Sequence, residues 1–303
     1  MSSPKKPRHV GGTSNHGRIP IPEIWHMIVR MCDLDTAFNV CLVVFSTPSL
    51  WEVATDVEVY GDLIETHFGA KRIFPPAALC PPASGVPKFR ACKGFHPSDE
   101  FVEFCETYGE RTLFSKVDIR QGDIGRVVDI DGTPLDCLVF PTNYTLRNAG
   151  SGAAVAVFRR AGSGLDEYVE SLHFQGRESN AVVTPGFNAG VSHLIHCVGP
   201  SPHAIGSFAL LYQTYLNAFE QARRRKVRCV AVASIATGAL GFPLSAATKL
   251  AMRAVRDFVK THRWDAKVVF VCWDVEVTNS MRAAKDDILD EFNDQAFQVL
   301  TVV

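Results

Sequence analysis

Two loops in this chain carry the residue types that bind anions. The first lies in PTNYTLRNAGSGAAVAVFRRAG, residues 141–162, which follows the apolar run Cys137-Leu-Val-Phe140. It brings Gly150-Ser-Gly152 up to a helix-like stretch, Ala153–Arg160. The second is SIATGALGFP, Ser234–Pro243, which runs from an apolar strand to the next helix. Small residues leave backbone N–H groups uncovered, and these amides bind phosphate oxygens together with the positive end of a helix dipole. In an open α/β sheet, ligands settle beyond the carboxyl ends of the strands. One such loop reads as a tight turn. Two at equivalent strand ends read as an anion site.

Other candidate chemistry is weaker. His193 and His196 have no second ligand pair at metal spacing and read as core or edge residues. His196 and Cys197 are neighbours on a strand, so their side chains point to opposite faces and form no dyad. Arg223-Arg-Arg-Lys226 ends a helix, where cations suit the dipole, and reads as a solvated helix end.

The elements that hold the loops follow from apolar patterning. Strands are expected at Lys116–Ile119, Cys137–Phe140, Ala181–Thr184, His193–Val198, Val227–Ser234 and Val268–Trp273. Helices are expected near Ala153–Arg160, Phe208–Lys226, Ala246–His262 and Asn279–Phe292. Leu211, Tyr215 and Phe219 mark one face of the second of these helices. Runs such as Cys229-Val-Ala-Val-Ala233 are apolar on both faces, as in a sheet covered by helices on both sides. The fold class is three-layer α/β/α.

A break rich in proline, Phe74–Pro97, precedes this region. Before it, Pro22-Glu23-Ile24-Trp25 opens one helix, Asp33 or Asp35 caps a second, and a third lies around Trp51 and ends near His67–Gly69. They form a small helical satellite with a modest core. The expected divisions are a disordered basic tail (1–17), helices (18–70), a linker (71–110) and the α/β domain (111–303).

Hydrophobic residues make up 47% of the 303-residue chain, and 31 basic residues nearly balance 32 acidic ones. That balance gives no field pointing to nucleic acid or a membrane surface. No apolar run reaches the roughly 18–20 residues that span a bilayer. The nine scattered cysteines, with no CxxC pair, fit reduced packing residues of an intracellular protein, cytoplasmic, nuclear or both.

From about Val117 to Leu289 the chain resembles a macrodomain, the fold that binds ADP-ribose. Gln121-Gly-Asp-Ile124 is similar to the family's GDI motif. Asp136-Cys-Leu-Val139 with Asn143 resembles DAIVNAAN, and Arg159 with Ala161-Gly162 the end of HRAAG. Thr184-Pro-Gly-Phe-Asn188, His196-Cys-Val-Gly-Pro200, Ser234–Pro243 and Val271-Cys-Trp-Asp274 resemble TxGYN, HTVGP, STGxYGxP and VCFD. The resemblance implies a mixed central sheet, ADP-ribose as ligand, and no cofactor or metal. It implies that Asp123 meets the adenine amino group with help from the Ile124 backbone, and that Trp273 lies against the adenine or its ribose. Gly238, Ala239, Leu240 and Gly241 would cradle the diphosphate in a motif that also holds Ser234, Thr237 and Phe242. Gly150, Ser151 and Gly152 would face the distal ribose, with Asn143 beside it as the candidate catalytic, water-orienting residue.

The chain departs from the branch of the family that removes mono-ADP-ribose. The position of that branch's Asp falls on Ala153 or Ala154, and Phe140 and Phe158 stand where Asn and His are usual. Loss of a general base costs roughly a hundred- to ten-thousand-fold in rate. Binding without efficient turnover is expected, with slow mono-ADP-ribosyl hydrolysis as the alternative.

Ile19-Pro-Ile-Pro22-Glu23-Ile24, with Ile28, Leu34, Val40-Cys41-Leu42-Val43 and Ser49-Leu-Trp51, resembles an F-box, although Val44-Phe45-Ser46 lacks the usual basic pair. That resemblance implies docking on the Skp adaptor of a cullin–RING ubiquitin ligase. The whole would then be a substrate receptor for ADP-ribosylated proteins.

Overall fold

The structure is a computed structural model that describes residues 21–69, 94, 96–148, 150–238 and 240–294. The basic tail, most of the Phe74–Pro97 break, Ala149 and Ala239 lie outside the described residues. The N-terminal helices are α1 (Ile21–Arg30), α2 (Leu34–Ser46), a 3-10 turn at Pro48–Thr55, and α3 (Val57–Phe68). Asp33 caps α2, and Asp56 caps α3 by accepting from the Val59 amide at 2.9 Å. The helix expected around Trp51 is thus split, with Pro48 opening a 3-10 turn and Asp56 starting the true helix.

Helix α4 (Asp99–Ser115) follows, started by Ser98, whose Oγ accepts from the Phe101 amide at 3.1 Å. This helix corrects the expected layout, because a linker over 71–110 with a domain start at 111 would divide it. Buried Thr107, Gly109 and Glu110 interrupt its apolar pattern, which is why the periodicity did not show it. The first strand is displaced for the same reason. Lys116 caps α4, and β1 runs over Asp118–Gln121 instead of Lys116–Ile119.

Strands β2 (Asp129–Ile130) and β3 (Thr133–Pro134) form a small hairpin turned by Asp131 and Gly132, both at positive φ. Then come β4 (Cys137–Thr142), α5 (Gly152–Ala161), α6 (Ser163–Ser171), β5 (Ala181–Pro185), β6 (His193–Val198), α7 (Ser207–Arg224), β7 (Cys229–Ala233), α8 (Leu244–His262), β8 (Lys267–Cys272) and α9 (Val275–Asp290). The hairpin and α6 were not expected from the sequence. Asp274 caps α9 by accepting from the Glu276 amide, so this helix starts four residues before Asn279.

The six-stranded sheet has the order β1-β8-β7-β4-β6-β5. All pairs are parallel except β5 with β6, so the sheet is mixed. Leu138, Phe140, Ala231, Val269 and Val271 pack with α5 and α6 on one face. Val139, Val230, Val232 and Phe270 pack with α7, α8 and α9 on the other.

The N-terminal helices do not form a separate satellite. Their buried residues, such as Cys41, Tyr60, Ile64 and Phe104, join one continuous core with Leu250, Val255 and Phe258 of α8. Arg263, just past α8, reaches Glu106 of α4 at 3.0 Å with a side chain only 5% exposed. The Asn293 amide donates to the Phe68 carbonyl at 2.8 Å. No helix among the described residues is long and apolar enough to cross a membrane.

Candidate functional site

The sheet opens at one place. β4 pairs with β7 only from Cys137↔Val230 to Val139↔Val232, whereas its pairing with β6 continues to Thr142↔Val198. β4 thus runs three residues past its last pair with β7, which itself ends at Ala233. The helix after β4 covers one face of the sheet and the helix after β7 covers the other. A crevice at the carboxyl edge of such a switch point is where α/β sheets bind ligands. Register aligns the loops around it, since Gln121 pairs with Cys272, Ala233 with Val271, and Thr142 with Val198.

After β1, the Gly122 amide donates to the Cys272 carbonyl at 2.8 Å, joining this loop to β8. Asp123 Oδ1 accepts from the Gly125 amide at 2.8 Å, and Oδ2 lies 3.7 Å from exposed Arg126 Nε. One carboxylate oxygen thus shapes the turn and the other stays on the outer side. Ile124 is buried and anchors the loop through its side chain. Gly125 touches α5 so closely that a Cβ there would lie 2.9 Å from the Ala156 carbonyl oxygen.

Arg160, which no motif singled out, fastens this loop from behind. Its guanidinium donates to the carbonyls of Val127 at 2.6 Å, Ala189 at 2.6 Å and Ile124 at 3.4 Å. Burial pulls its pKa below the usual value. Its neighbour Arg159, which the motif matched, is exposed.

After β4, Asn143 Oδ1 accepts from both the amide and the hydroxyl of Thr145, at 3.1 and 2.9 Å. The end it can offer a ligand is its NH2. Asn148 Oδ1 accepts from the Gly150 amide at 3.0 Å. Gly150 and Gly152 have φ of +74° and +62°, which explains glycine at both positions. Ser151 is exposed and makes no side-chain cap, so the first-turn amides of α5 lack that partner. Ala153 and Ala154 begin the helix, and no acidic residue occupies its first turn.

Phe140 and Phe158 do not line the crevice. Both are buried and pack around His196, with ring centroids 4.6 and 6.0 Å from the imidazole. His196 Nε2 bonds to the Thr184 hydroxyl at 3.1 Å, and burial lowers its pKa to about 3. It is a core residue, as its spacing suggested.

After β7, buried Tyr215 pins Ile235 by accepting from its amide at 2.7 Å. Thr237 Oγ1 donates to Ser234 Oγ at 2.9 Å, and Ser234 also meets the Cys272 thiol, which burial pushes up to about 11. The Gly241 amide closes a turn on the Gly238 carbonyl at 2.9 Å. The Phe242 side chain turns inward against Phe208, with centroids 5.7 Å apart. Ser234, Thr237 and Phe242 brace the loop from within, whereas exposed Gly238 and partly exposed Leu240 form its outer side. Leu240 leans over the loop after β6, close to Gly199. Ala239 lies outside the described residues.

After β8, Trp273 is 76% exposed at the end of a buried strand. Asp123, Ile124, Asn143, Gly150, Ser151, Gly152, Ser234, Thr237, Gly238, Leu240, Gly241, Phe242 and Trp273 therefore all belong to this one edge. Sequence reasoning missed Arg160 and Gly125 and read Tyr215 only as part of an apolar helix face, because their work is done by contacts between distant segments. Among the described residues no group of three His, Cys, Asp or Glu side chains could hold a metal ion.

The family profile described as Macro domain matches residues 139–251. An O-acetyl-ADP-ribose deacetylase of Escherichia fergusonii is 32% identical over 169 residues, covering 54% of this chain and 90% of the relative. A macro domain-containing protein of Methanosarcina mazei is 30% identical over 176 residues, covering 57% of this chain and 90% of the relative. Among solved structures, the Oceanobacillus iheyensis macrodomain with ADP has a TM-score of 0.52 at 22% identity, covering 57% of this chain and 91% of that one, a likeness of fold. With a relative matched over nearly its whole length and the loops of the motifs gathered at one sheet edge, the chain belongs to the macro domain family.

Proposed function

We propose that the protein binds ADP-ribose in the crevice between β4 and β7. The observation that carries this reading is the switch point at which β4 runs on past the end of β7, beneath two small-residue loops, each leading into a helix with no side-chain cap. Amides and helix dipoles at two such starts suit a diphosphate. Exposed Trp273, on the β8 side, supplies a face for a base, and the turn of Asp123 supplies a carboxylate oxygen beside it. The relatives named for O-acetyl-ADP-ribose support the same ligand class.

Binding without efficient turnover is the preferred form of this reading. No carboxylate stands at Ala153 or Ala154, and the Asn143 carbonyl oxygen is committed to Thr145. Slow hydrolysis of a mono-ADP-ribosyl bond, or deacetylation as in the named relatives, is the alternative. Release of ADP-ribose or of acetate by the full-length chain decides between binding and turnover.

The test of the site is calorimetry on the full-length protein with ADP-ribose, ADP and AMP, beside a Gly238→Glu variant. Gly238 is not at positive φ and has open space around a Cβ, so the substitution places a negative charge at the loop without straining the fold. Micromolar binding of ADP-ribose that the variant loses supports the reading. Failure of all three ligands overturns it.

One observation favours a partner for the N-terminal helices, the adaptor-docking reading of the F-box resemblance. Helix α1 buries Val29 yet leaves Ile24, Met27 and Ile28, and Met31 just beyond it, exposed on the other side. This is helical spacing for a second apolar face. Co-purification with a Skp adaptor, lost in a Met27→Glu/Met31→Glu variant, tests it.

A further inference from the structure

Four of the five methionines lie among the described residues, and they are of two kinds. Met252 on α8 and Met281 on α9 are fully buried. Met27 on α1 is 64% exposed, and Met31, just past the helix end, is 84% exposed. The Met31 amide donates to the Ile28 carbonyl at 3.1 Å, so the last turn carries on to this residue. Met27 and Met31 therefore lie one turn apart on one side, with exposed Ile24 and Ile28 beside them. Val29 enters the core from the opposite side.

A thioether is apolar, yet a peroxide converts it to a polar, chiral sulfoxide. Leucine would suit these helical positions equally well and lacks that reactivity. We propose that Met27 and Met31 form a peroxide-oxidised modification site that turns the exposed apolar face of α1 polar. At each sulfur the peroxide O–O bond breaks and one oxygen bonds to the thioether. The sulfur gives up two electrons, and hydrogen peroxide leaves as water. Sulfoxide reductases reverse the step, with the oxygen leaving as water while two thiols are oxidised to a disulfide. Met252 and Met281 are shielded by the core, which makes the modification selective. Cys32 is the competing target, a half-buried thiol that donates to the Ile28 carbonyl at 3.1 Å. The other described cysteines are buried. The effect on adaptor docking rests on the reading of α1 given above, whereas the modification does not.

The experiment treats the full-length wild type and a Met27→Leu/Met31→Leu variant with dilute hydrogen peroxide. After the peroxide is removed, both are followed by peptide mass mapping, hydrophobic-interaction chromatography and capture of a Skp adaptor. Met27 and Met31 are each expected to gain one oxygen at least about tenfold faster than Met252 and Met281. The oxidised wild type leaves the column earlier, and a methionine sulfoxide reductase with a thiol reductant restores its retention. The leucine variant keeps its retention throughout. Adaptor capture weakens about ten- to a hundredfold in the oxidised wild type, because the docking face now carries polar groups. It is unchanged in the oxidised variant. Oxidation of Met252 or Met281 at a matching rate overturns the inference. So does unchanged retention of the oxidised wild type, or an equal loss in the leucine variant, which would make Cys32 the sensitive residue. A wild type that captures no adaptor before treatment overturns the docking reading, while mass mapping and retention still decide the modification.

Discussion

The phenol of Tyr215 holds both backbone polar groups of Ile235, with Oη 2.7 Å from the amide and 3.4 Å from the carbonyl oxygen. Tyr215 lies on α7 and is fully buried, and Ile235 opens the loop after β7. The bond therefore sets where the Ser234–Pro243 loop leaves the sheet. Tyr215→Phe keeps the ring and strands a buried N–H, at a cost of about 1–3 kcal/mol. The expected outcome is a lower denaturant midpoint with an unchanged slope, together with weaker ADP-ribose binding by calorimetry. Unchanged stability would mean that the Ile235 amide finds another partner.

Arg160 joins the loop after β1 to the loop after β5, through the Val127 and Ala189 carbonyls. Arg160→Ala is expected to lose about 2–4 kcal/mol of stability, since bonds from a charged donor are worth about 1.5–3 kcal/mol each. Arg160→Lys is expected to recover little, because one ammonium cannot reproduce the guanidinium fork. Urea unfolding of the three proteins measures this. Full rescue by lysine would reduce the role of Arg160 to charge alone.

Trp273 offers a contrast, because its side chain is mostly in solvent. Trp273→Ala should change stability by no more than about 0.5 kcal/mol. It should weaken ADP-ribose binding roughly five- to a hundredfold, the range for loss of one base-stacking ring. Trp264 is buried, and Trp25 and Trp51 belong to the N-terminal helices, so ligand quenching of tryptophan fluorescence should vanish with Trp273. Quenching that persists in the variant would place the base elsewhere.

His196 gives the fold an acid sensitivity. Its folded pKa of about 3 lies below the ordinary histidine value of about 6.5, because burial penalises the imidazolium. The neutral form is favoured by folding, so its contribution is fully present above about pH 6.5. It is lost as pH falls from there toward 3, by up to about 1.4 kcal/mol per pH unit. In His196→Leu, unfolding free energies measured between pH 6 and 4 should fall less steeply, by about one proton. An equal slope in both proteins would show that His196 is not the group that titrates.

The parts of the fold legible in the sequence are those whose burial is symmetrical. Residues 137–140, 229–233 and 268–272 are apolar on both faces and form the middle of the sheet. Helix α4 was hidden because its buried positions include Thr107, Gly109 and Glu110, which read as solvent-facing. The antiparallel sense of β5 is set by its partner β6 and left no local mark. At the site, the small-residue loops were legible because glycines at positive φ, such as Gly150 and Gly152, are a local requirement. The inward turn of Phe242 and the reach of Arg160 depend on residues far away in the chain. Phe140 and Phe158 stood out as departures, yet they form a core cluster with His196.

The continuous core shared by α1–α4 and α8 has a consequence for what counts as a unit in this protein. The family profile begins at Val139 in β4, but the apolar contacts reach back through the N-terminal helices. Removing residues 21–115 would expose the outer side of α8 and leave Arg263 without Glu106. Heating should therefore melt helices and sheet together, in a single calorimetric transition whose enthalpy matches the whole chain. The seam drawn by ancestry and the seam drawn by cooperativity fall in different places. Here the sheet and the four helices that precede it share one core.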